Sequence, residues 1–312
     1  MKFEHWDSIR RRYEDWWEGR PLSRPLIQLT APRPGFIPEP APEEESALIA
    51  WHTEPALVLP RLEAAIEATA YYLDAFPLVF PVSPGLPAIE AAYLGCSYHF
   101  TRQTAWLHPR YNRLIDRPPV EIDPDNSWWR ATRRLLGAAA ERWQGKAVDA
   151  LGFAAIGIPD LQGGGHIAAE MRGMQNFALD LLDHPAEAAA LIEEVNHAWL
   201  HYYTACFEII HCYIPGWVDW LGVWSEKPAV TVECDFAAMI SPRMFERFFL
   251  PALQQQVRWV ERTIYHLDGP QQIPHLDLLL ALPELDGIQW VPGAGAAPMR
   301  EWIPLLQRIQ SA

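Results

Sequence analysis

Two ionisable side chains, two residues apart, close a stretch of strong strand character, Thr263-Ile264-Tyr265-His266-Leu267-Asp268, which Gly269 and Pro270 then terminate. Alternate residues of a strand share a face, so Ile264, His266 and Asp268 point the same way. An imidazole beside a carboxylate can hold a divalent metal or relay a proton; the plainer alternative is a His-Asp hydrogen bond that closes a turn. The same parity puts Glu233 and Asp235 on one face of Val230-Thr231-Val232-Glu233-Cys234-Asp235, with Cys234 on the other and Asp235 last. Asp160 ends a third apolar segment and leads into Leu161-Gln162-Gly163-Gly164-Gly165-His166. Glycines there allow a ligand to approach the backbone closely. Without a following Lys-Ser/Thr or a GxGxxG pattern, however, the run reads more simply as a strand-to-helix turn than as a phosphate cradle.

Four tryptophans, Trp217, Trp220, Trp224 and Trp290, fall near expected strand ends with Asp219 and Glu226 between them. Indole rings beside carboxylates suit stacking on a flat or ring-shaped organic ligand, and core packing is the competing reading for any one of them. Asp268, His266 and Asp235 are therefore the candidate catalytic groups. Trp290, Trp224, Trp220, Asp160, Gln162 and Glu226 are candidate substrate contacts, and His266, Asp268 and Glu233 candidate metal ligands.

The elements that must position these residues read as helices alternating with short apolar strands. Strands are expected over residues 25–30, 78–82, 147–156, 263–268 and 287–291. Helices are expected over 57–73, 126–143, 185–212, from Ser241-Pro242 onward, over 274–281 and over 298–309. Asp183 with Pro185 supplies a helix start, and Phe245, Phe249, Leu253 and Val257 make an apolar row four apart in a helix that Pro251 should kink. Residues 31–49, rich in Pro and acids, are expected to form a long irregular loop. This alternation implies a parallel sheet with helical crossovers. At this length its leading form is a closed (β/α)8 TIM barrel with an N-terminal helical extension and long loops, folded as one domain over 1–312 with a core of roughly 21–312. The carboxyl ends of its strands would carry the active site.

Composition narrows the partners. The 312 residues are 50% hydrophobic, with 15 Trp and 29 Pro, and carry a net charge of −14. The only basic cluster, Arg10-Arg11-Arg12, is interleaved with acids, so nucleic acid is not an expected partner. No apolar run approaches the ~18 residues of a membrane span, and the start is too polar for a signal peptide, so a cytoplasmic protein is expected. Cys96, Cys206, Cys212 and Cys234 form no CxxC pair and read as buried thiols.

Several segments carry a resemblance. Leu94-Gly95-Cys96-Ser97-Tyr98-His99-Phe100, the helix from Gly173-Met174-Gln175-Asn176 to Pro185, the stretch Ile240-Ser241-Pro242 through Phe245-Glu246 to Pro251, and Tyr265-His266-Leu267-Asp268-Gly269 resemble, in order, motifs of the uroporphyrinogen decarboxylase-like superfamily. That superfamily includes porphyrinogen decarboxylases, methyltransferases that exchange methyl groups with corrinoid proteins, and distant cobalamin-independent methionine synthases. The resemblance implies a (β/α)8 barrel. The arginine-rich N-terminal segment that binds porphyrinogen carboxylates is reduced here to Arg33 at most, which disfavours uroporphyrinogen itself. Zinc-dependent members use His-x-Cys with a later Cys; this chain has His266-x-Asp268 and no Cys after Cys234, so a metal here would meet a harder, N,O-type site. The expectation is a methyltransferase-like enzyme acting on a small organic methyl donor or acceptor, possible cofactors being a divalent metal such as zinc and a corrinoid carried by a partner protein. The alternatives are a metal-free decarboxylase or lyase of a small carboxylated substrate, and a carbohydrate-binding or carbohydrate-cleaving barrel, whose carboxylate spacing would decide it.

Overall fold

A computed structural model describes residues 6–82, 88–102, 104–144, 156–211 and 216–312. In chain order, α1 (Trp6–Trp17) is followed by β1 (Gln28–Pro32), α2 (Glu45–Thr53), α3 (Pro55–Glu67) and β2 (Thr69–Leu73). Next come α4 (Ile89–Tyr93), β3 (Ser97–Phe100), β4 (Ala105–His108) and α5 (Ser127–Trp143). Then α6 (Gly164–Arg172), α7 (Met174–Asp183) and the long α8 (Pro185–His211) lead to β5 (Ala229–Glu233), α9 (Leu250–Val257), β6 (Arg262–Asp268), α10 (Leu276–Leu280), β7 (Gly287–Val291) and α11 (Ile303–Gln310).

Local chemistry places several of these boundaries. Asn126 accepts hydrogen bonds from the backbone N–H groups of Trp128 and Trp129 and so starts α5. α7 stops at Asp183, and Pro185 opens α8, whose inward row includes Leu191, Val195, Trp199, Tyr202 and Cys206. Ser241 caps the turn Pro242–Met244, which passes through a π-helical turn, Phe245–Phe249, into α9. Pro251 lacks an N–H, and the irregular turn just before it takes the place of a simple kink. Phe245, Phe249, Leu253 and Val257 are all buried as their spacing requires.

The expected closed (β/α)8 barrel is not what forms. Among the described residues the strands make three small sheets: an antiparallel β1–β2 pair, an antiparallel β3–β4 pair and a parallel β5-β6-β7 sheet. A closed barrel needs eight parallel strands; the seven short strands of the described residues leave no closed ring. The reasons are local. The tail of the expected helix over 57–73 is extended, and its Thr69–Leu73 residues pair with β1, Leu29 opposite Tyr72, so that β1 is taken up in an antiparallel pair that spans α2 and α3. The segment around Cys96 likewise doubles back as a hairpin, Tyr98 opposite Leu107. The expected strand at 78–82 contributes one parallel bridge, Val79 to Ile156, with Gly157 N–H donating to Val79 O (2.6 Å) and Ile158 N–H to Val218 O (3.1 Å). These contacts line polypeptide up beside the parallel sheet without forming further named strands. Most of the expected strand over 147–156, and Cys212, lie outside the described residues. In the expected loop over 31–49, residues from Glu45 onward form the first turn of α2.

All five residues of β5 are buried, the pattern of a strand covered on both faces. α1 is tied to the amino ends of β5 and β6. Arg262, which opens β6 opposite Ala229, holds both carboxylate oxygens of Glu14 at 2.8 Å and Glu18 at 3.0 Å. No helix of the described residues is long and apolar enough to cross a membrane.

Candidate active site at the carboxyl ends of the parallel strands

Register turns one-dimensional parity into a site. In the parallel sheet Glu233 lies opposite His266 and His266 opposite Gln289, so three polar side chains form one rung across the last turns of β5, β6 and β7. His266 Nδ1 is hydrogen-bonded to Gln289 Oε1. An amide oxygen can only accept, so Nδ1 carries the proton and the Nε2 lone pair is left facing Glu233, whose Oε2 lies 4.0 Å away. Asp235, in the turn that follows β5, completes a group in which one ligand atom each from Glu233, Asp235 and His266 lie within 4.8 Å of one another. Glu233 Oε1 and Asp235 Oδ1 are buried without a hydrogen-bond partner. Trp220 stands edge-on to the imidazole, ring centroids 5.1 Å apart.

Asp160 approaches from the segment beside Val79 and shares a hydrogen bond with Glu233. Two carboxyl groups in such contact require a proton between them. Burial raises Glu233 well above the ordinary carboxylate range, and the charges of Asp160 and Asp235 raise it further, so Glu233 is the member that keeps the proton. Asp160 is also raised by burial, against the hydrogen bonds from Glu233 and from the Gln162 N–H and the nearby His166. Among the described residues no Lys or Arg pairs with any of the three acids. Asp219, a fourth acid close by, is pushed up to about 6 by burial although Thr231 and Leu221 N–H groups bond it.

The glycine run serves packing. Gly165 sits where a Cβ would lie 2.2 Å from the Phe249 ring and 3.3 Å from Cys234 Sγ, so its bare backbone lets α6 start hard against the back of β5. Gln162 adopts a left-handed φ of 61°, with its N–H on Asp160 Oδ1 at 3.1 Å, which aims Asp160 at Glu233.

The remaining sequence candidates are distributed differently. Asp268 shares the face of His266 but stands outside the trio, bordering, with Asp235, a cavity of about 470 Å³. Trp290 is opposite Leu267, on the other face of the sheet from His266 and Gln289, and packs on Trp302 with centroids 4.9 Å apart. Trp224 is buried against Trp6 of α1 (5.5 Å), and Trp217 is stacked on His211 (4.9 Å). Glu226 is exposed at the amino end of β5, where its N–H donates to Glu14. Trp290, Trp224 and Glu226 are therefore not brought to the rung. Gln289 and His166 went unnoticed in the sequence. Gln289 carried a usable signal, since it occupies the same position before the end of its strand as His266 does in β6.

No family model matches this chain, and no curated protein matches it. Its fold is similar to that of a methyltransferase from Methanosarcina mazei, with 14% identity, a TM-score of 0.60, and coverage of 90% of this chain and 75% of that chain. At this identity the likeness is one of fold.

Proposed function

We propose that the chain is a methyltransferase-like enzyme whose centre is a divalent metal held by Glu233, Asp235 and His266. The observation that carries this reading is the convergence of three ligand atoms within 4.8 Å, two of the carboxylates having a buried oxygen with no partner. The donor set fits a metal: one imidazole nitrogen and two carboxylates suit Mn, Fe, Co or Zn as divalent ions better than a thiophilic site would. The likeness in fold to a methyltransferase supports the reaction class. When bound, such an ion acts as a Lewis acid on the substrate atom that gains or loses the methyl group.

The protein's own residues do the rest. Gln289 fixes the imidazole tautomer that leaves Nε2 free, the usual role of a group bonded to the far nitrogen of a ligating His. Asp160 accepts the proton that Glu233 holds, and Trp220 walls off one side of the imidazole. A corrinoid carried by a partner protein is the methyl-exchange partner in this reading, and it is tested by reconstitution with methylated corrinoid protein. For the metal itself, purified wild-type protein loaded with zinc, manganese or cobalt should retain about one equivalent after gel filtration, and His266→Ala should lose it. Retention of no metal by wild type overturns the proposal.

The buried, proton-sharing Asp160–Glu233 pair favours a second reading, a metal-free lyase or decarboxylase with Glu233 as general acid. Carbon dioxide release from small carboxylic acids that survives chelation and disappears in Glu233→Gln would select it. Nothing beyond the expected pairing of indole rings with acids supports carbohydrate cleavage, and Trp290, Trp224 and Glu226 are not at the rung, so it is the least supported of the three.

A further inference from the structure

Beside the trio, at the same end of the strands, the cavity of about 470 Å³ is large enough for a small organic molecule. Its character is one-sided. Asp235 and Asp268 both line it, the rest of its wall is Gln, Pro, Gly and Ala, and no Lys, Arg or aromatic side chain is among the described residues around it. Gly269 and Gly293 meet at its rim, where a Cβ placed on Gly293 would lie 3.9 Å from Gly269 Cα, so the wall is backbone and small side chains rather than a stacking platform. The Asp160–Glu233 pair lies beside Asp235 and, sharing a proton, adds no positive charge that would offset the two carboxylates of the cavity.

A second observation is independent of the acids. Gln272, in the cavity wall, is only 1% exposed. Its Oε1 accepts from Tyr265 OH at 3.2 Å, which orients the carboxamide, and its Nε2 has no acceptor at all. A buried donor left unpaired is costly, and an acceptor oxygen on a ligand would satisfy it. The cavity therefore presents two carboxylates for a cation, and Gln272 in its wall holds an unpaired amide donor just beneath the surface.

We infer that this cavity is the substrate pocket and that the substrate class is a small amine bearing a hydroxyl or carbonyl oxygen, with the ammonium group between Asp235 and Asp268 and the oxygen toward Gln272. Carboxylates, phosphates and sulfonates are excluded by the same charges. The inference rests on the reading above that this end of the strands is the active face, but it does not require the metal.

The test is a set of near-isosteres, ethanolamine, ethylene glycol and glycolate, titrated by calorimetry into the full-length protein as purified and again after chelator treatment. In the chelator-treated protein, where no metal engages Asp235, ethanolamine should bind at least ten-fold more tightly than either of the others. Asp268→Asn, which keeps the shape and removes the charge, should abolish that preference. Ala294→Lys, on an exposed part of the rim where folding is not at stake, should do the same by placing its own ammonium in the pocket. Equal binding of glycol or glycolate, no saturation by ethanolamine, or an unchanged preference in both variants would overturn the inference. Metal retention with no amine preference sinks this inference alone; amine preference in a protein that retains no metal sinks the metal reading alone.

Discussion

Among single residues, Gln289 has the most specific consequence. It holds His266 by Nδ1 and so decides which imidazole nitrogen faces Glu233. Replacing it by Leu keeps the bulk and removes the acceptor. Metal affinity of Gln289→Leu, measured by competition with a chromophoric chelator, should fall by about 10- to 100-fold. Gln289→Glu, which restores an acceptor, should recover most of it. If the Leu variant binds metal as wild type does, the tautomer argument is wrong.

At the scale of elements, the site depends on how closely α6 seats behind β5. A methyl group at position 165 would meet the Phe249 ring at 2.2 Å, a distance that real Cβ atoms do not show, and Phe249 is buried at 3% exposure with little room to yield. Gly165→Ala should therefore destabilise the protein by about 1–3 kcal/mol, read as a lower urea midpoint with an unchanged m-value. The same displacement would shift the end of β5, so metal retention should fall with it. An unchanged midpoint would mean that α6 does not fix the sheet. The starts of the helices at Ser241 and Pro185 and the row Phe245, Phe249, Leu253 and Val257 were readable from caps and spacing because they depend on residues a few positions apart. The β1–β2 pair and the β3–β4 hairpin were not, because each requires a partner strand that local propensity does not specify.

For the whole molecule, one carboxylate ties the N-terminal helix to the body. Asp74, directly after β2, is fully buried and accepts from Arg12 of α1, from Arg24 and from the Ile27 N–H. Burial alone would raise its pKa. The hydrogen bonds from Arg24 and Arg12 and the Ile27 N–H outweigh that and bring it down to about 2. A folded pKa below the unfolded value contributes stability that is fully present above about pH 4 and is lost as pH falls towards 2. Thermal unfolding of the wild type should accordingly lose midpoint steeply over that window. Asp74→Asn should start lower at pH 7 and show a flatter profile between 4 and 2; a parallel profile in the variant would remove Asp74 from the account.

What the sequence determined by itself is what short-range geometry controls. Period-two alternation put His266 with Asp268 on a shared face of β6, and Gly269 ended that strand; Asp235, expected as the last residue of its strand, stands instead in the 3-10 turn after β5, so the fold and not strand parity brings it to Glu233. Tertiary structure decided the rest. Which strand stands beside which, and in what register, depends on contacts between residues far apart in the chain, so only the folded sheet could set Glu233, His266 and Gln289 on one rung. Parity gives two faces but not which one meets the site; the fold turned Trp290 to the other face, and it packed Trp224 against α1. The closed barrel failed for the same physical reason, since helix-strand alternation can be read along the chain while ring closure is a property of long-range strand pairing, and the first expected strand pairs antiparallel with β2 instead of joining the parallel sheet.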